Sequence, residues 1–332
     1  MELPTYVQIE PVGQCNLRCQ MCPIQFRQDG PPYGPPAFMP FETFTRIIDQ
    51  FVNLKVLHLQ GLGEPMMHPR YFDMVAYAAG KGIRVTTNTN MTLLNARRAE
   101  LCVSSGLDCL HASIDGATAE TYERIRKRAH FDRVTRNLEL LVETRERLGS
   151  DYPRLHVVTV VMRQNLHELP DLVRLAHRWQ AEQMFVQHLC HDFGESSLPP
   201  HYQPMREFVQ QQTLLDEDLE RIEHYFGLAR DLAQELGVDL RLPRTRPRPH
   251  PSGTPGRKRC SWPWTGAYIS YDGYAMPCCM VSTPDRINFG NMASESVAEV
   301  WNNKDYQVFR SRLDSDDPPE ICRSCAIYTG TF

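Results

Sequence analysis

Cys15, Cys19 and Cys22 form a Cys-x3-Cys-x2-Cys run close to the start of the chain. Three thiolates this near in sequence can converge on one metal centre. Zinc in a closed structural site takes four protein ligands, and no fourth Cys or His adjoins the run; His58 and His68 are distant in sequence. Three thiolates on an iron–sulfur cluster leave one iron open, which suits a centre that must bind a small molecule. Zinc, or three buried thiols, is the plainer alternative. A second group, Cys260, Cys278, Cys279, Cys322 and Cys325, falls in the last quarter of the chain. Cys260, Cys278 and the closing Cys322-x2-Cys325 are enough for one complete four-thiolate site, with a zinc knuckle as the competitor.

Eleven cysteines in 332 residues are not needed to staple a chain of this size. The opening MELPTYVQIE lacks a basic stretch followed by an apolar one, so the thiols read as reduced and the protein as cytoplasmic. Acidic residues outnumber basic ones by 40 to 36, a net charge of −4. That leaves no broad basic surface and argues against a nucleic-acid partner. No apolar run approaches the roughly 18 residues of a membrane span.

The elements that must position these cysteines are legible as an alternation. Six short apolar or β-branched runs (Tyr6–Glu10, Val56–Gln60, Ile83–Thr87, Cys109–Ile114, Leu155–Met162 and Met184–Leu189) alternate with helical stretches. Phe72, Val75, Ala76 and Ala79 mark one helical stripe; Phe131, Val134, Leu138, Leu141 and Val142 mark another. Alternating βα units predict an α/β fold with a parallel sheet. Six of them fit a partial (β/α)6 TIM-like barrel, with a doubly wound sheet as the alternative. In either, functional residues gather at the C-terminal ends of the strands. One long helical region is expected over about 205–236 and a short edge strand over 238–242. Residues 242–259, dense in Pro, Gly and Arg, read as a linker. Residues 260–332 read as a small cysteine-bearing α+β module, opening on a hairpin turned at Asp272-Gly273. The expected division is therefore 1–241, 242–259 and 260–332.

With the first cysteine run directly after strand one, the chain resembles the radical SAM superfamily. The residue before the third cysteine is usually aromatic in that family; here it is Met21, which leaves the thiolate spacing intact. The resemblance implies a [4Fe–4S] cluster on Cys15, Cys19 and Cys22 whose open iron binds S-adenosylmethionine. Reductive cleavage would then yield a 5′-deoxyadenosyl radical that abstracts hydrogen, fed by an external one-electron reductant such as flavodoxin or ferredoxin. Gly61-Leu-Gly63-Glu64-Pro65 after strand two looks like the family's Gly-Gly-Glu segment, which grips the methionyl ammonium. Asn88, Ser113 and Asp115 sit at strand ends that face the ribose and methionine carboxylate in relatives. Arg126 matches an arginine that can reach that carboxylate. Turn and capping roles are the alternatives for Asn88, Ser113 and Asp115, and a surface position for Arg126.

The C-terminal module resembles the SPASM domain or its shortened relative, the twitch domain. The resemblance rests on Cys260…Gly273…Pro277-Cys278, Gly290-Asn291…Trp301-Asn302 and Cys322-Arg-Ser-Cys325. A full SPASM domain needs more than five cysteines, so one auxiliary [4Fe–4S] cluster is expected, on Cys260, Cys278, Cys322 and Cys325. Cys279 is left over or exchanges with Cys278. Cys190 and Asp192, after strand six, are the candidate hydrogen donor and base, with a small buried thiol the alternative for Cys190. His191 is a further candidate. Cys102, Cys109 and His58 read as packing residues.

Many peptide-modifying relatives carry a recognition domain before the barrel, and here strand one starts by residue 6. The expected substrate is therefore a small polar metabolite (a sugar, aminocyclitol or nucleoside) of natural-product biosynthesis. The expected outcome is redox, a dehydrogenation or oxidative decarboxylation with the auxiliary cluster as electron acceptor. Epimerisation or modification of a ribosomal peptide is the alternative within enzymes, and a zinc-binding interaction protein is the alternative outside them.

Overall fold

Alternation of burial along each strand gives the sheet two different faces. In the computed structural model, which describes residues 1–27, 37–189, 193–246 and 260–330, Val85, Thr87 and Thr89 are buried while Thr86 and Asn88 between them are half-buried. The same period recurs where Met184 and Val186 are buried and Gln183, Phe185 and Gln187 are half-buried. The more apolar face is covered by helices and the other lines the barrel interior.

Seven strands run parallel in chain order across one sheet: β1 (Tyr6–Ile9), β2 (Val56–Leu59), β3 (Arg84–Thr89), β4 (Leu107–Ser113), β5 (Arg154–Val160), β6 (Gln183–Gln187) and β7 (Asp239–Arg241). The expected parallel α/β sheet is thus present, with the short strand over 239–241 at one edge. At the other side of β1 the sheet continues. β8 (Gly266–Ile269) pairs parallel with β1, and β9 (Ala275–Met276) turns back antiparallel on β8. The cysteine-bearing segment therefore begins inside the barrel sheet, with Tyr6 opposite both Val56 and Gly266.

Helices α1 (Phe41–Asp49), α2 (Tyr71–Gly80), α3 (Ala96–Ser104), α4 (Ala119–Ile125), α5 (Phe131–Leu148) and α6 (Leu169–Arg178) fill the connections. On α2 the buried face is Tyr71, Met74, Val75 and Ala78, while Ala76 is exposed. The stripe expected through Ala76 is thus turned, because the bulky Tyr71 and Met74 set the phase. The stripe on α5 holds, with Val134, Leu138, Leu141 and Val142 buried. The long helix expected over 205–236 is two helices, α7 (Gln203–Gln212) and α8 (Leu219–Leu236). Thr213 is extended and ends the first; the Asp218 carboxylate caps the second by accepting from Glu220 N at 3.1 Å. Gly237, in the left-handed region, terminates α8.

Beyond α9 (Trp262–Thr265) and the β8–β9 hairpin lie α10 (Val297–Asn302) and α11 (Lys304–Leu313). Trp301 and Tyr306 are fully buried, and the Phe289 and Tyr306 rings stack with centroids 4.1 Å apart. Trp301 Nε1 donates to Glu2 O at 2.9 Å, tying this layer to the start of the chain. Among the described residues, no helix is long and apolar enough to cross a membrane.

Candidate functional site

The loop after β1 turns the three cysteines back over the C-terminal ends of the strands. A two-residue antiparallel pairing, Arg18–Cys19 with Arg126–Lys127, pins that loop to the end of α4. Gly63 lies against it so closely that a Cβ would meet Val12 O at 2.1 Å and Gln14 O at 2.6 Å. Glu64 N donates to Gln14 O at 3.0 Å. The Gly61–Pro65 segment and the cysteine loop are thus packed backbone to backbone, which only a residue without a side chain permits at Gly63.

Both loops border a cavity of about 220 Å3. Cys15, Cys19 and Cys22 line it, as do the expected cofactor contacts Met21, Gly61, Gly63, Glu64, Asn88, Ser113 and Arg126. Asp115 does not line it. Its carboxylate is fully buried, accepts from Val160 N at 2.8 Å and sits 2.7 Å from Arg126 Nη2. Burial pushes the Asp115 carboxyl up while the Arg126 guanidinium pulls it down. Asp115 therefore holds the arginine whose side chain reaches the cavity.

Glu64 is buried and already tethered. Its Oε1 accepts from Thr89 Oγ1 at 2.7 Å and Met66 N at 3.2 Å, and its Oε2 from Asn90 N at 2.8 Å. These bonds fix the carboxylate at the cavity wall and leave acceptor capacity on Oε2. Burial raises its pKa although Arg126 and its hydrogen bonds pull it down, and a cation bound beside it would favour the charged carboxylate further.

The thiols have the electrostatics of an incomplete metal centre. Burial raises the pKa of all three, that of Cys22 to about 12, and Cys15 and Cys22 are raised further by a neighbouring thiol, Cys19. Each charge disfavours the next, and a bound cation removes that conflict. Donors are in place for sulfur: Leu17 N lies 3.4 Å and Asn90 Nδ2 3.7 Å from Cys15 Sγ, and Arg126 Nη1 3.9 Å from Cys19 Sγ. Such bonds tune the potential of an iron–sulfur centre. Among the described residues, the set of three ligand atoms within 4.8 Å of one another lies elsewhere.

The second group fits a cluster by the same argument. Cys278 is raised well above its ordinary value by burial, then by Cys279, Cys325, Cys260 and Cys322. Cys279, at about 12, is raised by burial and by Cys325 and Cys260, so the fifth thiol stands in the group rather than apart from it. The register puts Cys278, two residues beyond Met276, back towards the start of β8 and β1. Tyr6, at the start of β1, senses Cys279 and packs edge-on to Trp262, with centroids 5.4 Å apart. The two thiol groups thus lie at opposite ends of β1.

Sequence reasoning missed several residues here. Glu10, fully buried at the end of β1, pairs with Arg27 at 2.7 Å and accepts from Leu62 N at 2.9 Å and Tyr271 N at 3.3 Å. It joins the cysteine loop, the Gly61–Pro65 segment and the C-terminal hairpin. Asn90 had no motif to announce it. Gln187 and Leu189 reach the cavity, whereas His188 donates Nε2–H to Arg244 O at 2.7 Å. Cys190, His191 and Asp192 lie outside the described residues, as does most of the linker.

The family model of the Radical SAM superfamily matches residues 9–176, and that of the SPASM iron-sulfur cluster-binding domain matches residues 260–326. The tungsten-containing aldehyde ferredoxin oxidoreductase cofactor-modifying protein of Pyrococcus furiosus is 26% identical, over 92% of this chain and 83% of its own. A PqqA peptide cyclase of Xanthomonas euvesicatoria is 25% identical, over 97% of this chain and 80% of its own. In fold, the chain matches Streptococcus suis SuiB bound to the precursor peptide SuiA with a TM-score of 0.71 at 14% identity, covering 99% of this chain and 71% of that one.

Proposed function

Because the chain belongs to the radical SAM superfamily and carries a SPASM-type iron–sulfur domain, we propose that it takes a hydrogen atom from an unactivated carbon of its substrate with a redox outcome. Cys15, Cys19 and Cys22 would hold the cluster that binds S-adenosylmethionine; Cys260, Cys278, Cys322 and Cys325 would hold one auxiliary [4Fe–4S] cluster. Bound together, the first cluster and S-adenosylmethionine supply one-electron cleavage chemistry and an oxidant strong enough for such a C–H bond.

The chain's own residues orient the cofactor. Glu64 receives the methionyl ammonium on Oε2, where the bond from Asn90 N leaves room for another donor. Arg126, held by Asp115, faces the methionine carboxylate. Asn88 and Ser113 offer polar groups to the ribose, and Met21 and Leu189 supply apolar wall. Residues 1–241 are taken as the cleaving part and 260–332 as the carrier of the auxiliary cluster, joined by 242–259. The auxiliary cluster on Cys260, Cys278, Cys322 and Cys325 would supply an electron acceptor for the substrate, and the leading substrate class is a small polar metabolite. The observation that carries the reading is the convergence of three mutually strained thiols with Glu64 and Arg126 on one cavity. The protein works in a reducing, cytoplasmic setting with a one-electron donor such as flavodoxin or ferredoxin.

A second reading, a peptide substrate, is favoured by the 25% identity to a PqqA peptide cyclase. One experiment addresses both. Anaerobically reconstituted protein is incubated with S-adenosylmethionine and dithionite, alone and with candidate metabolites or peptides, and 5′-deoxyadenosine is followed by mass spectrometry. Deuterium carried from a labelled substrate into 5′-deoxyadenosine identifies the substrate class. If no 5′-deoxyadenosine forms in a protein with full iron, with or without candidates, the proposed reaction is refuted.

A further inference from the structure

Below the cavity, the inward face of the sheet carries histidines where barrels of this kind are filled mainly by branched apolar side chains. Residues two apart on a strand share a face. Beneath Gln60 stands His58, beneath Asn88 stands Thr86, and beneath Ser113 stand His111 and then Cys109. His156 lies on the same face of β5 as Val160. The register sets His111 directly beside His156. Cys109 Sγ is 3.5 Å from His156 Nδ1 and 3.8 Å from His111 Nε2. All three ligand atoms lie within 4.8 Å of one another, and none of these residues lines the cavity.

We propose that Cys109, His111 and His156 form a zinc site in the barrel floor, separate from both groups of cluster cysteines, with water as the fourth ligand. Zinc bonds of about 2.3 Å to sulfur and about 2.0–2.1 Å to nitrogen, at a tetrahedral angle, set sulfur and nitrogen about 3.6 Å apart. The two sulfur–nitrogen distances here, 3.5 and 3.8 Å, bracket that value.

The surroundings prepare the ligands. His111 Nδ1 lies 3.0 Å from Thr87 O. A carbonyl only accepts, so Nδ1 carries the proton and Nε2 turns its lone pair towards Cys109. A carbonyl orienting a ligating histidine in this way is the usual outer support of a zinc site. Burial lowers the pKa of His111 to about 4 and that of His156 below its ordinary value, which keeps both rings neutral. Cys109, pushed up by burial to about 12, has one thiol proton facing two ring nitrogens. Zinc binding expels that proton, one released per metal bound, and gives the thiolate its counter-charge. The result is a cross-link between β4 and β5 beneath Ser113 and Val160.

The test uses holoprotein with its iron fully assembled, incubated with zinc sulfate and desalted. Metal analysis is expected to return about one zinc per chain with iron unchanged. Cys109→Ala and His111→Gln are each expected to lose the zinc and keep the iron. Zinc K-edge absorption should find one sulfur among nitrogen and oxygen neighbours. Failure of the parent protein to retain zinc would overturn the proposal. So would zinc kept by both variants, or a shell of sulfurs alone, since either puts the metal on cluster cysteines. If Cys109→Ala does not fold, His156→Gln serves in its place.

Discussion

Arg126 Nη2 stands 2.7 Å from Asp115 Oδ2 with both side chains closed off from solvent, while Arg126 Nη1 is turned towards Cys19 Sγ at 3.9 Å. One guanidinium thus links a buried carboxylate, a cluster thiol and the cavity. Asp115→Asn keeps the shape and the bond from Val160 N but strands the charge on Arg126. Removing one partner of a buried ion pair costs about 3–5 kcal/mol. Chemical unfolding of reconstituted protein should show a loss of that size. Saturating S-adenosylmethionine should recover part of it, because its carboxylate supplies the missing charge. Equal destabilisation with and without the cofactor would remove Arg126 from the carboxylate.

Gly63 and Gly80 should respond in opposite ways to the same change. A Cβ at Gly63 meets backbone at 2.1 Å, with no flexible side chain to yield. Gly63→Ala must push the Gly61–Pro65 segment off the cysteine loop, at a cost of about 1–3 kcal/mol or more, and weaken S-adenosylmethionine binding at least about tenfold, since about 1.4 kcal/mol is a factor of ten in affinity. Gly80, the last residue of α2, has nothing within 4 Å of its Cβ position. Gly80→Ala should stabilise by about 0.4–1 kcal/mol. Cofactor titration and melting of the two variants check both signs.

What the chain reveals about itself depends on how local the signal is. The cysteine run, Gly61-x-Gly63-Glu64 and the strand alternation are short-range patterns, and the structure gathers all of them at one cavity. Asp115 shows the limit: it stands at the expected strand end, but its partner Arg126 lies beyond α4, and only the fold brings them together. Glu10 looked like an ordinary strand terminus because its partners at 27, 62 and 271 are far apart in sequence. The phase of α2 is hidden in the sequence for a simpler reason: alanines on both faces blur a stripe that Tyr71 and Met74 decide. Cys109 and His58 read as packing in the sequence; only the folded side chains bring Cys109 Sγ beside His111 and His156 on the inward face.

His68 makes stability depend on pH. Its Nε2 lies 3.0 Å from Met39 O and must donate, while its Nδ1 accepts from Arg70 N at 3.0 Å. The neutral ring satisfies both bonds, and protonation at Nδ1 breaks one. Burial accordingly lowers its pKa below 6.5. A histidine with a depressed folded pKa binds more protons when unfolded. Its stabilisation is therefore complete above the unfolded value of 6.5 and is lost as pH falls from there towards the folded value. The slope is at most about 1.4 kcal/mol per pH unit. His68→Gln should lose this dependence. Unfolding free energies of both proteins between about pH 7.5 and pH 5.5 should converge on acidification; parallel curves would exclude His68 as the source.

Iron content separates the two thiol groups. Two [4Fe–4S] clusters hold about eight irons per chain. Replacing Cys15, Cys19 and Cys22 together by Ala should leave about half of that iron, because the remaining ligands lie at the far end of β1 and need nothing from the first loop. Cys278→Ala should cost the other half. Cys278 is raised by four neighbouring thiols, and Cys279 by two of the same four. With Cys278 as the ligand, Cys279→Ala should keep the auxiliary iron. The reverse result, iron kept by Cys278→Ala and lost by Cys279→Ala, would exchange the two residues. Loss in both would mean that all five thiols serve the cluster, one of them through hydrogen bonding rather than ligation.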